Sequence, residues 1–356
     1  MVAISRFLPL LGICLLLQGC NLPYYWQAAR GQFDLLQKRQ DIHQLLADPN
    51  TSPKLKSRLK YVLQARQFAK LQLHLSTGDN YLSYADLKRP YVVWNVFATP
   101  ELSMQNEHWC FPIAGCVPYR GYFAEKDAQA FAETLAQQGF DTYVGGVAAY
   151  STLGWFDDAV LNTFIYEGDL NLAALIFHEL AHRTVYVPND ATFNESFATT
   201  VEDLGLERWI DYAGLQQQRS AYELAKKRQK QFLQLVLDNR AAREKLFASP
   251  VSDAEKRRGK RELEHKLKQD YLALRESWGG YDGYDAWFNK SLNNAQLSTI
   301  ATYYALKPAF LELFRRSGGD FASFLQRCRE LAKESPKERD AYLKRLVAAQ
   351  IDYTGK

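Results

Sequence analysis

The sequence has almost no excess of either charge: 44 lysines and arginines face 40 aspartates and glutamates, a formal +4 over 356 residues. No overall field therefore singles out nucleic acid as a partner, and none is expected. A run of the roughly 20 apolar residues that a helix needs to cross a bilayer is missing at the N-terminus, where Phe7 to Leu17 behind Arg6 amounts to about a dozen, so that segment is a leader and not a span. No internal repeat is visible, which excludes a stacked-repeat architecture. Histidine is scarce, six in the whole chain, so a histidine pair at ligand spacing has little chance of being an accident. What the sequence does hold is 47% hydrophobic residues, enough for a large core in one large domain or two smaller ones.

The apolar run ends at Gln18-Gly19-Cys20. This Leu-Gln-Gly-Cys ending resembles the lipobox of bacterial lipoproteins, which implies a signal peptide at 1–19 and a lipidated Cys20 as the mature N-terminus; an ordinary cleaved signal is the rival reading. The residue after the anchor is Asn21 and not aspartate, which in such lipoproteins resembles outer-membrane sorting. The expected address is the bacterial cell envelope, on the periplasmic face of the outer membrane. Residues 20–30, with Tyr24, Tyr25 and Trp26, then read as a lipidated aromatic tether.

Export changes the reading of the cysteines. Cys14 leaves with the signal, and Cys20 carries the lipid. In WCFPIAGCVPYRGYF, Cys110 and Cys116 are six residues apart with Pro112 and Gly115 between them, so a disulfide is expected, with a small two-thiol metal site as the rival. Cys328 sits in a helical pattern and reads as a half-buried free thiol.

Along the chain, helical stretches near 31–47 and 53–75 are followed by strands at 91–98 and near 117–123. A helix from about Glu125 to Gln138 stops at Gly139, and strands return at 141–151 and 159–166. A helix N-capped by Asp169 runs to about Pro188, and another begins near Asn194. From about 206 to 276, leucine and tyrosine recur at helical spacing among Gln, Arg, Lys and Glu. This segment predicts two long antiparallel helices, the second capped by Ser252 with Glu255. Its basic residues read as a solvated face, with an acidic polymer as the rival partner. An aromatic loop, WGGYDGYDAWF, and final helices at about 295–317 and 320–349 complete an α+β, mostly helical fold with a small mixed sheet and a long helical hairpin. The expected organisation is one domain over 31–356, carrying the hairpin at about 206–276 as an insertion.

The chemistry lies in FHELAHRTVYVPNDATFNESFA. His178 and His182, four apart, stack on one helical face and can both aim an imidazole at one ion, while Glu179, about 100° round the helix, stands beside it as a general base. Leu175, Ile176, Phe177, Leu180 and Ala181 make this a buried helix, where two bare histidines and a glutamate are costly and a metal relieves the cost. A third ligand must come from elsewhere, and the next helix opens with Glu195, thirteen residues past His182. Thr199 and Glu202 share its face and are candidates to hold the far nitrogen of a ligand histidine.

HELAH followed by NESFA resembles the gluzincin metallopeptidases, although the gap between the two elements is shorter than in the thermolysin-like or aminopeptidase-type groups. Together with WCFPIAGCVPYRGYF, STLGWF and NNAQLSTIATYY, the run resembles a bacterial family of predicted aminopeptidase lipoproteins over most of the mature chain. The resemblance implies a gluzincin-like core, Zn2+ as cofactor with Glu195 as the ligand that joins His178 and His182, and peptide as substrate. It also implies hydrolysis through a zinc-activated water with Glu179 as base, and a downstream tyrosine as oxyanion donor. Tyr303, Tyr304, Tyr281 and Tyr284 are eligible, and Tyr304 is the expected one. An aminopeptidase further needs a carboxylate for the substrate α-amine, for which Glu167, Asp169 and Glu202 are near in sequence. The strand expected at AYSTLGWF would hold an extended substrate, while Asn293 and Asn294 read as caps more than as ligands. The aromatic loop at 278–288 and the loop at 110–116 are expected to crowd the cleft. The alternative function is a non-catalytic, membrane-anchored scaffold with a structural zinc.

Overall fold

The computed structural model describes residues 22–111, 115–149, 151–152 and 156–354, with side chains to residue 347. The leader at 1–19 and Cys20 lie outside the described residues.

Helix α1 (Leu22–Gln37) takes up most of the expected tether. Its Tyr24 does not trail in solvent but packs on Phe111 and Tyr122 at ring separations of 5.6 and 5.5 Å, with the Arg120 guanidinium 4.0 Å above it. After strand β1 (Gln40–Asp41) and helix α2 (Ile42–Ala47), helix α3 (Pro53–Gln72) starts where the Ser52 hydroxyl accepts the Leu55 N–H and Pro53 opens the first turn. Both residues suit a helix start, since one satisfies an orphan donor and the other has none to offer.

The strands are β2 (Ser83–Ala85), β3 (Val93–Pro100), β4 (Trp109–Phe111), β5 (Gly115–Val117), β6 (Arg120–Tyr122), β7 (Phe140–Val147) and β8 (Val160–Leu161), with helix α4 (Glu125–Gln137) between β6 and β7. They form small sheets in the orders β1-β2-β8 and β6-β3-β7, plus the β4-β5 hairpin. Strand β3 pairs antiparallel with β7 from Val93↔Val147 to Pro100↔Phe140. Period-two alternation divides its side chains. Trp94 and Val96 pack with Ala128 and Ala132 of α4, while Val93 and Asn95 face the cavity described below.

Helix α5 (Asp169–Thr184) carries the HELAH segment and α6 (Ala191–Tyr212) the NESFA segment. Asp169 is the first helical residue rather than the cap, a role taken by Gly168, and its carboxylate pairs with Arg58 of α3 at 2.5 Å. The Phe177, Phe68 and Trp209 rings of α5, α3 and α6 interlock, with centroids 5.0 to 6.1 Å apart. Gly205 permits this approach of α6: a Cβ there would meet Leu73 at 2.7 Å and Phe177 at 3.0 Å.

Helices α7 (Arg219–Ala248) and α8 (Asp253–Ser277) form the expected antiparallel pair, and the capping box of Ser252 and Glu255 is present. The aromatic loop does not crowd a cleft. Its Tyr284 stacks on Phe232 at 4.3 Å, Phe288 stacks on Tyr271 at 3.8 Å, and Trp278 and Trp287 join the same cluster at the hairpin's open end. Many of the hairpin's basic residues are ion-paired, among them Lys226 with Glu207, Arg257 with Glu101 and Lys260 with Asp141.

The C-terminal region is divided further than the two predicted helices. A short α9 (Asp285–Phe288) precedes α10 (Asn294–Tyr304), α11 (Lys307–Arg316), α12 (Phe321–Leu331) and α13 (Pro336–Thr354). Pro308 and Pro336 open two of these, and Gly318 and Gly319 at φ +67° and +72° turn the chain between α11 and α12, a left-handed backbone that glycine adopts without steric cost. Cys328 of α12 is fully buried, not half-buried, and Cys110 and Cys116 form a disulfide.

Candidate metal centre

Three donor atoms converge between α5 and α6. His178 Nε2 lies 3.2 Å from His182 Nε2, and Glu195 Oε2 lies 3.3 Å from the former and 3.5 Å from the latter. Among the described residues these three form the group of histidine and carboxylate side chains that could hold a metal ion. The two histidines meet because i, i+4 residues share a helical face. Glu195 meets them because the link between the helices is folded tightly. Val185 leaves α5 in an extended conformation. Asn194 then clamps the link, its amide donating to the Val187 carbonyl and its side-chain oxygen accepting the Val187 N–H, each at 2.8 Å. Asp190 caps α6 through the Phe193 N–H and is itself held by the buried Arg339 at 2.8 Å. The helix therefore begins at Ala191, ahead of the expected Asn194, and Glu195 enters on its second turn.

Glu202, two turns beyond Glu195, places Oε2 3.1 Å from His178 Nδ1. Of the two candidates for this contact, the carboxylate makes it and Thr199 does not. Burial alone would lower the His178 pKa, but Glu195 and Glu202 on either side push it well up. Burial would likewise raise Glu195, yet the two imidazoles hold its carboxyl down to about 2. His182 Nδ1 and Glu195 Oε2 are buried without a hydrogen-bond partner among the described residues. An anionic carboxylate oxygen left in that state between two imidazole nitrogens is what a cation would satisfy.

The site opens into a cavity of about 420 Å³. Glu179 faces it, and burial raises its carboxyl above the ordinary range against the opposing pull of His178 and His182. Three tyrosines ring the donors: Tyr119, Tyr186 and Tyr303. Tyr303 lies against His178 with centroids 6.4 Å apart. The Glu195 charge and burial raise its hydroxyl well above 10, and burial with Glu195 nearby also raises Tyr119 and Tyr186. All three stay protonated donors at neutral pH. The remaining wall is mostly apolar, with Val93, Phe111, Val117, Phe123 and Val147 among its residues.

The expected oxyanion donor, Tyr304, is not at the cavity. A step of about 100° along α10 turns it away from Tyr303's direction, and its hydroxyl accepts from Gln229 at 3.2 Å while Lys307 sits over its ring. Tyr281 and Tyr284 are also elsewhere, in the hairpin cluster. Asp169 is engaged by Arg58, and the Glu167 carbonyl takes the same guanidinium; both lie at the N-terminal end of α5, about 14 Å of helix from His178. With Glu202 on His178, the cavity's carboxylates among the described residues are Glu179 and Glu195. Asn293 caps α10, and Asn294 holds the Glu101 and Ser103 carbonyls, so both are structural. At the expected AYSTLGWF strand, Tyr150 and residues 153–155 lie outside the described residues. Ser151 and Thr152 do line the cavity but are not in a strand; Asp158 accepts from both hydroxyls at 3.3 and 2.7 Å. Of the two loops expected to crowd the cleft, the disulfide loop contributes among the described residues, through Phe111, with Val117 just beyond it. Sequence reasoning missed Tyr119, Tyr186 and Tyr24. Tyr186 stood inside the motif stretch, but nothing distinguishes it among 21 tyrosines.

A family model described as "Putative aminopeptidase" matches residues 23–343 of the chain. No curated protein and no solved structure matches it.

Proposed function

Because the chain belongs to that family, we propose that it is a gluzincin-type, zinc-dependent peptidase that trims peptides from the amino end. One peptidase domain over 31–356 would carry the helical hairpin, and Cys20 would be its lipid anchor on the periplasmic face of the bacterial outer membrane.

The observation that carries the metal is the spacing of the donors. Tetrahedral zinc with ligands at about 2.0–2.2 Å requires donor atoms about 3.3–3.5 Å apart, and His178, His182 and Glu195 stand at 3.2, 3.3 and 3.5 Å. Two imidazoles and one carboxylate are also the donor set of a catalytic site, with the next position left open. A scaffold with structural zinc would close its site with a fourth Cys or His, and the group contains no fourth member among the described residues.

Zinc held there supplies a Lewis acid that polarises the scissile carbonyl and acidifies the attacking water. The chain's own groups do the rest. Glu179, raised by burial, takes the proton from the water and returns it to the leaving amine. Tyr303, Tyr119 and Tyr186 present O–H donors toward the oxygen on which negative charge develops. Glu202 fixes His178 so that Nε2, not Nδ1, faces the centre. With Glu195 on the metal and Glu179 acting as base, a free α-amine would be met by neutral acceptor oxygens of the cavity wall, among them those of Asn95 and the tyrosines.

The test is metal content and turnover on purified protein. About one zinc per chain is expected, lost in His178→Ala, His182→Ala and Glu195→Ala. Glu179→Gln should keep zinc and lose hydrolysis by about 10²–10⁴-fold. Full zinc occupancy in all three ligand variants, or near-normal turnover in Glu179→Gln, would overturn the reading. A peptide set and its N-acetylated twin separate the modes: single-residue loss from free-amine peptides alone supports trimming, and internal cuts in both make the protein an endopeptidase.

A further inference from the structure

Helix α1 presents different surfaces on its two sides. Tyr24, Ala28 and Gln32 line the cavity of the metal centre, and Leu35 is buried in the main core. On the adjoining side Leu22, Tyr25, Trp26 and Phe33 are exposed to 77, 42, 69 and 60%, with exposed Ala29 among them. At about 100° per residue these five fall within an arc of about 100°, so they form one continuous apolar stripe. Exposed apolar residues scattered singly need no explanation, but a contiguous aromatic stripe marks a contact surface.

The chain that leads into the helix identifies the occupant. The apolar run Phe7–Leu17 and then Cys20 precede Leu22. With Cys20 acylated, as proposed above, the polypeptide arriving at Leu22 comes from a bilayer. Two residues of extended chain reach at most about 7 Å, so an acyl anchor on Cys20 holds the start of α1 at headgroup level. Tryptophan and tyrosine partition to that level, with leucine and phenylalanine reaching just beneath it. Residues 22–39 also carry Arg30, Lys38 and Arg39 against the single acid Asp34, a balance that favours anionic headgroups.

We infer that the Leu22, Tyr25, Trp26, Ala29 and Phe33 face of α1 lies on a lipid surface as a second membrane contact beside the acyl anchor. The adjoining face of the same helix, centred about a third of a turn away, walls the catalytic cavity, which is thereby held beside the bilayer. The inference rests on Cys20 as the anchor, but not on the peptidase chemistry.

The test uses the full, lipidated chain reconstituted in vesicles of phosphatidylethanolamine and phosphatidylglycerol. An environment-sensitive fluorophore is placed on Ala29→Cys or, as control, on the exposed Ala273→Cys of α8. Labelling is selective because Cys328 is buried and Cys110 and Cys116 are bridged. Doxyl-labelled lipid should quench residue 29 at least twofold more than residue 273, with a blue-shifted emission at residue 29 only. A chain that floats with the vesicles yet shows equal quenching at both positions overturns the surface while leaving the anchor in place. A chain that does not float removes the anchor and the surface together. A blue shift at residue 29 that needs raised protein concentration and no lipid assigns the stripe to a second copy, which also overturns the inference.

Discussion

Replacing Glu202 tests whether the carboxylate behind His178 serves the metal. Its Oε2 accepts from His178 Nδ1 at 3.1 Å, and by binding that nitrogen it leaves the Nε2 lone pair directed at His182 and Glu195. Loss of such an outer partner typically costs 10- to 100-fold in metal affinity, or about 1.4–2.7 kcal/mol. The Glu202 side chain is 31% exposed, so water can take over part of its task and the lower half of that range is expected. Glu202→Gln keeps an acceptor of the same reach and should weaken zinc by about tenfold; Glu202→Ala, which leaves only water, should weaken it by about thirtyfold. Zinc dissociation constants measured by competition with a chelator at fixed pH would show this order. The metal-free variants should melt close to the metal-free parent, because the contact orients a ligand rather than supporting the core. Affinities within twofold of the parent for both variants would refute the assignment of Glu202, and a collapse of the metal-free fold would show its role to be structural.

Arg339, only 3% exposed, holds the α6 cap Asp190 through Nε and Nη2 at 3.0 and 2.8 Å. Arg339→Met should destabilise the fold by about 2–4 kcal/mol by leaving that carboxylate without its cation, and a melting temperature within a degree of the parent would contradict this. Glu312 accepts from Arg315 and Arg316 at 2.7 Å, which holds its carboxyl down to about 2. Its folded pKa lies below the unfolded value near 4.5, so the stabilisation is present above that pH and is lost as pH falls toward 2. Glu312→Gln should therefore melt below the parent at neutral pH and converge with it in acid. The gap should be modest, since Arg315 and Arg316 are 66 and 42% exposed, and a pH-independent gap would place its origin elsewhere.

The helical chemistry of the site was legible in the sequence because it is local. A four-residue spacing puts His178 and His182 on one face of whatever helix forms, and the polar step to Glu179 follows from the same 3.6-residue turn. Pro53 after Ser52, and Ser252 with Glu255, announce helix starts because their hydrogen bonds close within three residues. Cys110 and Cys116 are near enough in sequence for their pairing to be read from the chain alone. Glu195 could be named from the NESFA segment, but its arrival at the histidines depends on the Asn194 clamp on Val187 and on Arg339, 149 residues away, gripping Asp190. Tyrosine roles depended on the fold still more. Tyr303 and Tyr304 are adjacent and chemically identical, and only the packing of α10 against α6 and α7 decides that one faces His178 and the candidate metal site and the other meets Gln229. Tyr119 and Tyr24 come from a strand connection and the first helix, far from the motif in sequence, so no local pattern marks them. The aromatic loop at 278–288 shows the converse: its composition suggested a cleft wall, yet Phe232 and Tyr271 of the hairpin offered it a larger apolar surface to bury. Local spacing determined which residues share a helical face; which faces meet was decided by long-range burial, because hydrophobic contact is non-directional and leaves no signature in the residues that take part.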